Sequence, residues 1–306
     1  MKEIAESLSG LALGAPQVHL NLSVFPLIAE NDDAAGYVLL DDALAKNLAR
    51  VTEVSGAGSV PELAFENSSA ERILLVDGDQ LIGAKQNRIV NISILVGAGK
   101  RIVIPVSCVE QGRWRYKSDN FSSSNSALFA KARASKMSQV SASLRSTGAR
   151  SSNQGEIWAA VAEKASTLGH MSETMAMEDL YEKRTSDLAD YAHAFRAEPR
   201  QRGAVVAIDG KIAGMELFDS ASAFTRYFEK LVRSYAMDAV ETRKDATVVA
   251  AEQDVRRFLD SLKASTAERF PALGEGEDIR LSGDRIEGGA LMADGRVVHL
   301  AGYAKQ

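Results

Sequence analysis

Three apolar stretches of this chain are each interrupted by an Asp-Gly pair: ILLVDGDQLIG at 73–83, AVVAIDGKIAG at 204–214 and GALMADGRVVHL at 289–300. Asp-Gly between extended apolar runs favours a tight reversal, because glycine accepts the positive φ that a two-residue hairpin turn needs. The pattern predicts hairpins at Asp77-Gly78, Asp209-Gly210 and Asp294-Gly295. It also places antiparallel sheet toward both ends of the chain.

The rest of the sequence fills in around these hairpins. Residues 19–117 read mostly as strands. Pro105, inside RIVIPVSC, lacks a ladder donor and predicts an edge strand or a bulge. An exposed edge invites pairing, which makes a homodimer an expected assembly. Residues 118–155 are serine-rich, yet Phe129, Arg133, Met137, Val140 and Leu144 recur at helical spacing and predict a helix over about 125–146. The helical section runs to about 198. Residues 203–266 mix strands with two helices, one capped by Asp219 or Ser220 and one at about 246–266. Residues 278–304 read as a β-meander. Strands and helices are segregated rather than alternating, and no long linker divides them. The expected fold is a single α+β domain over 1–306, with an antiparallel or mixed β-sheet built from N- and C-terminal strands and a helical middle section.

Hydrophobic residues make up 45% of the 306, which excludes a wholly disordered chain. The single cysteine, Cys108, excludes an internal disulfide or a multi-cysteine zinc site. No apolar run reaches membrane-spanning length, and Glu3 and Glu6 stand where a signal peptide would be basic. A cytoplasmic protein without membrane association is expected. Nucleotide-binding loops and zinc-protease motifs are absent, and the four histidines lack metal-ligand spacing, so neither a metal nor a cofactor is predicted. The net charge of −5 conceals a block, Arg113–Gly155, with eight basic residues against Asp119 alone. Its helix is expected to present Lys131, Arg133, Lys136 and Arg145 to solvent, either as a solvated face balanced by acids packed nearby or, over 125–150, as a surface that would suit an RNA end. The acidic pI of 5.6 argues against general nucleic-acid binding.

The densest polar chemistry lies in GAKQNRIVNISILV at 83–96 and IPVSCVEQGRW at 104–114. A hairpin centred near Ala98-Gly99 would set Arg88 opposite Val109 and Asn87 opposite Glu110, at ~4.5–5.5 Å between Cβ atoms. That brings Gln86, Asn87 and Arg88 beside Cys108 and Glu110. Glu110 is the candidate general base or ribose ligand, or else a salt-bridge partner of Arg88 or Arg113. Cys108 is a weaker candidate nucleophile, having no histidine nearby in sequence, and otherwise a small buried hydrophobe. Arg88 and Arg113 suit phosphate oxygens through their planar forks. Gln86, Asn87 and Asn91 suit hydroxyls or a base edge, and Trp114 suits stacking or core packing. A catalytic Glu110 would tolerate glutamine with little loss of stability.

These two strings resemble the ARG and rhodanese-phosphatase-superfamily-associated protein domain family, as do Gln154 with Trp158, the helix start after Phe218 and the closing DGRVVHLA. The resemblance covers about 20–304. It implies a link to ADP-ribose, NAD or nucleotide processing: binding of a small phosphorylated ligand of nucleotide or ADP-ribose type and, if the chain is an enzyme, a hydrolase or transferase acting on such a derivative. The competing expectation is a non-catalytic interaction module whose polar stretch only organises the sheet.

Overall fold

The computed structural model describes residues 2–31, 34–170, 172–243 and 247–305. Among them are eight helices and 18 strands in an α+β arrangement. The largest sheet has nine strands, all antiparallel, in the order Leu11–Leu13, Leu22–Ala29, Gln201–Ile208, Lys211–Phe218, Arg296–Ala304, Ile286–Ala293, Glu277–Ser282, Thr266–Pro271, with Gln17–His19 also paired to Leu22–Ala29. N-terminal and C-terminal strands thus share one sheet, as the sequence led us to expect.

Alternation along its strands gives the sheet two apolar faces. Val205, Ala207, Met215 and Leu217 pack with Phe25, Leu27 and the helix Glu252–Lys263. Ala204, Val206 and Phe218 pack on the other side with the 22-residue helix Ala221–Thr242. Ser220 caps that helix by accepting from the Ser222 N–H at 3.2 Å. The helix expected at about 246–266 is shorter, Glu252–Lys263, and its expected first residue lies outside the described residues.

Two of the three Asp-Gly pairs make the expected hairpins. Asp209 (φ 49°) and Gly210 (φ 73°) join Gln201–Ile208 to Lys211–Phe218. Asp294 (φ 50°) and Gly295 (φ 71°) join Ile286–Ala293 to Arg296–Ala304. Asp77-Gly78 does not. The strand before it, Ile73–Leu75, belongs to a three-stranded sheet with Ile94–Val96 and, in parallel, Val38–Leu39. The strand after it, Asp79–Gly83, belongs to a six-stranded antiparallel sheet ordered Phe121–Ala127, Asp79–Gly83, Arg88–Val90, Arg101–Cys108, Glu62–Asn67, Ala49–Glu53. The chain crosses between sheets at this turn, held by the Asp79 carboxylate accepting from the Val76 N–H at 2.9 Å. Part of the serine-rich stretch, Phe121–Ala127, is also a strand; only its apolar ends hint at this in the sequence.

Pro105 does not mark an edge. Arg101–Cys108 is internal, paired with Glu62–Asn67 over residues 101–105 and with Arg88–Val90 over 106–108. Proline is tolerated because its nitrogen faces the side where Arg88–Val90 has just ended. Its carbonyl still accepts from the Asn91 N–H at 3.0 Å. The edge-based expectation of a homodimer therefore loses its premise.

The basic helix, Ala130–Thr147, buries Val140 and Leu144 as expected, with Phe129 buried at its N-cap. Its charges are distributed otherwise than expected. Arg133 and Lys136 are fully buried, and only Lys131 and Arg145 reach solvent. Arg133 pairs with Glu216 of the nine-stranded sheet, and Lys136 Nζ lies 2.7 Å from Asp77 Oδ1. Arg145 pairs with Glu268, Arg150 with Asp278 at 3.1 Å, and Lys131 with Glu163 at 3.4 Å. Acids from distant segments pair with all four cations of the helix. Two cations on the same helix should accordingly differ in weight. Lys136→Met leaves the Asp77 carboxylate buried without its partner and should cost about 3–5 kcal/mol in urea denaturation. Lys131→Ala should cost less than about 0.5 kcal/mol.

Candidate functional site

The two polar strings meet as expected, one residue out of the expected register. Arg88 stands opposite Cys108, Ile89 opposite Ser107 and Val90 opposite Val106. The connection between them is more than a hairpin, because Ile94–Val96 leaves to pair with Ile73–Leu75.

Glu110 and Arg113 form a closed pair. Arg113 donates from Nε to Glu110 Oε1 at 2.8 Å and from Nη2 to Oε2 at 2.7 Å. Its remaining donors reach the carbonyls of Gly83, Ala84 and Arg115 and the side-chain oxygen of Asn87. Glu110 Oε2 also accepts from the Asn87 N–H at 3.0 Å, which fulfils the expected reach between Asn87 and Glu110. Both residues are buried. Burial alone would raise the Glu110 pKa, but the hydrogen bonds from Arg113 and Asn87 prevail and hold it below the ordinary carboxylate value. A general base working near neutrality needs the opposite shift. The backbone is closed here too: Gly112 N–H donates to Thr174 O at 2.8 Å, and a Cβ on Gly112 would sit 2.9 Å from Thr174 Cα.

Cys108 is buried, and burial pushes its thiol up to about 11, with Arg88 opposing. That favours the thiol over the thiolate that a nucleophile needs. The side chain of Gln154 bridges the Cys108 N–H and carbonyl at 2.8 Å each, continuing the ladder where the strand has no neighbour. Asn91 is likewise satisfied from within: its Oδ1 accepts from Ser107 at 2.7 Å and its Nδ2 donates to Arg150 O at 3.1 Å. Gln86 donates to the Glu110 carbonyl and accepts from Arg88 Nη1 at 3.0 Å.

Arg88 is the exception. It is 0% exposed, and among the described residues Gln86 is its one hydrogen-bond partner: Nε and Nη2 make no hydrogen bond. Burial lowers its pKa, opposed by Cys108 and Glu53, yet an arginine in a protein keeps its charge. Trp114 covers the guanidinium, its ring centre 5.5 Å away. Trp114 and Tyr116 are 48% and 50% exposed, and Lys85 Nζ lies 5.5 and 5.1 Å from their ring centres. Lys85 is held in turn by the carbonyls of Gly56 and Ala57, at 2.8 and 2.5 Å. The buried Glu53 Oε2, at the base of that glycine-rich loop, is also unpartnered.

The expected residues therefore separate into two groups. Glu110, Arg113, Asn87, Asn91, Cys108 and Gln86 knit the sheet together. Arg88 is left with two unpartnered nitrogens beneath Trp114, beside Lys85, Tyr116, Glu53 and the loop 55–59. Glu53 and Tyr116 were not anticipated. The GAGS at 56–59 is visible in the sequence, but nothing local places it against a strand 30 residues away.

A model described as the ARG and Rhodanese-Phosphatase-superfamily-associated Protein domain matches residues 10–303. The chain belongs to this family. Neither a curated protein nor a solved structure matches it. The family's description records an association with other proteins and assigns no reaction.

The closed pair fixes the sign of a pH effect. A carboxylate with a depressed folded pKa stabilises the fold above its ordinary value of 4.5, and that contribution is lost as pH falls through the folded value. Glu110→Gln should therefore cost about 3 kcal/mol at pH 7, by loss of a buried charge partner. In denaturant titrations the gap to wild type should close below about pH 4.5. This reverses the small cost expected of a catalytic glutamate.

Proposed function

We propose that the protein binds a phosphorylated small molecule of nucleotide or ADP-ribose type where Arg88, Lys85, Trp114 and Tyr116 converge. The observation that carries this is the Arg88 guanidinium, fully buried with two of its nitrogens unpartnered. Leaving a buried charge half-satisfied costs free energy, and such groups call for an explanation outside the fold. A phosphate oxygen pair matches the geometry of an arginine fork. Two half-exposed aromatic rings beside it suit a planar base. Lys85, now occupied by two loop carbonyls, supplies a second cation if the Ser55–Ser59 loop shifts. The family's description, an association with ARG and rhodanese-phosphatase-superfamily proteins, is compatible with such a ligand.

A second interpretation, a non-catalytic interaction module, is favoured by the Glu110–Arg113 pair, which fills the interior and leaves no free carboxylate.

Thermal-shift measurements with ADP-ribose, NAD, mononucleotides and inorganic pyrophosphate separate the two. A ligand at 100 times its Kd should stabilise the fold by ~2.7 kcal/mol. Trp114→Ala and Arg88→Met should abolish the shift. Arg88→Met, by removing an unpaired buried charge, should leave the unliganded protein as stable as wild type or more so. No shift with any of these compounds, together with an Arg88→Met variant that is destabilised, would establish Arg88 as structural and favour the module.

A further inference from the structure

A second constellation lies away from the polar strings, where the three-stranded and nine-stranded sheets meet. Ser93 follows the strand Arg88–Val90, and its Oγ accepts from the Asp77 backbone N–H at 3.0 Å. That leaves the Ser93 hydroxyl proton for His299 Nδ1, 2.9 Å away. His299 sits on Arg296–Ala304 opposite Phe218, whose ring centre is 4.8 Å from the imidazole. On the far side of the ring, Nε2 lies 2.9 Å from Glu216 Oε2. The ring N–H is not aligned on that oxygen, so neither atom has a hydrogen bond of good geometry. Loosely aligned contacts of this kind are common in catalytic chains before substrate binds. Glu216 is fully buried and held by Arg133 and by the Tyr303 hydroxyl at 3.2 Å, both on Oε1, which leaves Oε2 to the imidazole. Burial would raise the Glu216 pKa, but Arg133 and His299 prevail and keep it a carboxylate. A carboxylate at Nε2 places the imidazole proton there and presents the Nδ1 lone pair to Ser93.

We propose that Ser93, His299 and Glu216 form a nucleophile–base–carboxylate chain that hydrolyses small O-acyl esters. Ser93 and His299 are the catalytic residues, and Glu216 positions the imidazole. The Ser93 Oγ bonds to the ester carbonyl carbon while its proton passes to His299 Nδ1. The C–O bond to the leaving alcohol then breaks, and that oxygen takes the proton from Nδ1. Water attacks the acyl-Ser93 by the same route, releasing the carboxylic acid and restoring the serine hydroxyl.

The surroundings define the substrate. The crevice beside Ser93 has a water-accessible volume of about 10 Å³, walled by Met137, Gly289 and Leu291. That is room for about one water, enough for a carbonyl oxygen but not for an acyl chain, so the ester would approach from the crevice mouth and the smallest acyl groups, formyl or acetyl, are favoured. Asp77 and Asp278 also line it, and Asp77 Oδ2 has no hydrogen-bond partner. Arg280 lines it as well, and both carboxylates are paired, Asp77 with Lys136 and Asp278 with Arg280 and Arg150, so the lining offers no unpaired cation to a phosphoryl group and suits a neutral ester. The chain shares no residue with the Arg88 site, so the two proposals stand or fall separately.

The test is p-nitrophenyl acetate with the full-length protein. Wild type should release p-nitrophenol, and under acid quench should carry one added acetyl group on the peptide that contains Ser93. Ser93→Ala, folded by circular dichroism, should be slower by about 100-fold or more, the scale of losing an activated nucleophile and its base. Glu216→Gln should lower kcat with KM unchanged, as expected of a positioning residue. Ser93→Cys should keep a nucleophile at that position and be acetylated there. Hydrolysis by Ser93→Ala at the wild-type rate, acetylation mapped elsewhere, or a wild-type rate no greater than buffer would each overturn the proposal.

Discussion

The ion pair between Arg133 and Glu216 connects elements that nothing else in the sequence relates. It ties the helix Ala130–Thr147 to the centre of the nine-stranded sheet, with both side chains almost wholly removed from water. Arg133 also donates to Ser234 on the long helix at 2.9 Å and lies over the rings of Tyr235 and Tyr303, at 5.3 and 5.6 Å. Two helices and two strands thus converge on one guanidinium. Such a pair is weak as a source of net stability, because both charges must be desolvated. Its effect is on specificity: any docking of the helix that separates the pair strands two buried charges. Lys136 with Asp77 and Lys230 with Asp79 repeat the device at neighbouring positions.

This accounts for the basic block in an acidic chain. Arg133 and Lys136 face inward to meet carboxylates that come from the sheets. Arg145 and Arg150 reach the Thr266–Pro271 and Glu277–Ser282 strands in the same way. The block is one half of a charge-matched interior whose other half is spread over 200 residues of sequence. Two of the four cations on this helix are buried against carboxylates, so the net charge of the segment overstates what it presents to a partner.

The polar strings show why residue type alone does not distinguish structure from function. Arg113 and Arg88 are the same residue type in two polar strings that meet, yet one is fully satisfied and the other is not. What separates them is the count of partners, five acceptor groups around Arg113 against the single residue Gln86 around Arg88. The Ser93–His299–Glu216 chain extends the same point. Each member is unremarkable in sequence: strand pairing sets His299 beside Glu216, and only tertiary packing brings Ser93 within 3 Å of the imidazole.

Local patterns carried the α+β class, the shared sheet of N- and C-terminal strands, the hairpins at Asp209-Gly210 and Asp294-Gly295 and the helix under the serine-rich stretch. Each depends on a repeat of 2 or 3.6 residues or on a glycine that must take positive φ, and such constraints act over a few neighbouring positions. They also carried the meeting of Asn87 with Glu110, since a short connector limits how far apart the segments it joins can lie, although Ile94–Val96 leaves to another sheet and the register shifts by one residue. Tertiary structure alone decided that Asp77-Gly78 is a crossing between sheets, that Pro105 lies on an internal strand, and that Arg133 is buried while Lys131 is not. The reason is range: Arg133 is 83 positions from its carboxylate and Ser93 is 206 from its imidazole. No periodicity in a sequence records which distant charge will arrive to offset the cost of burying this one.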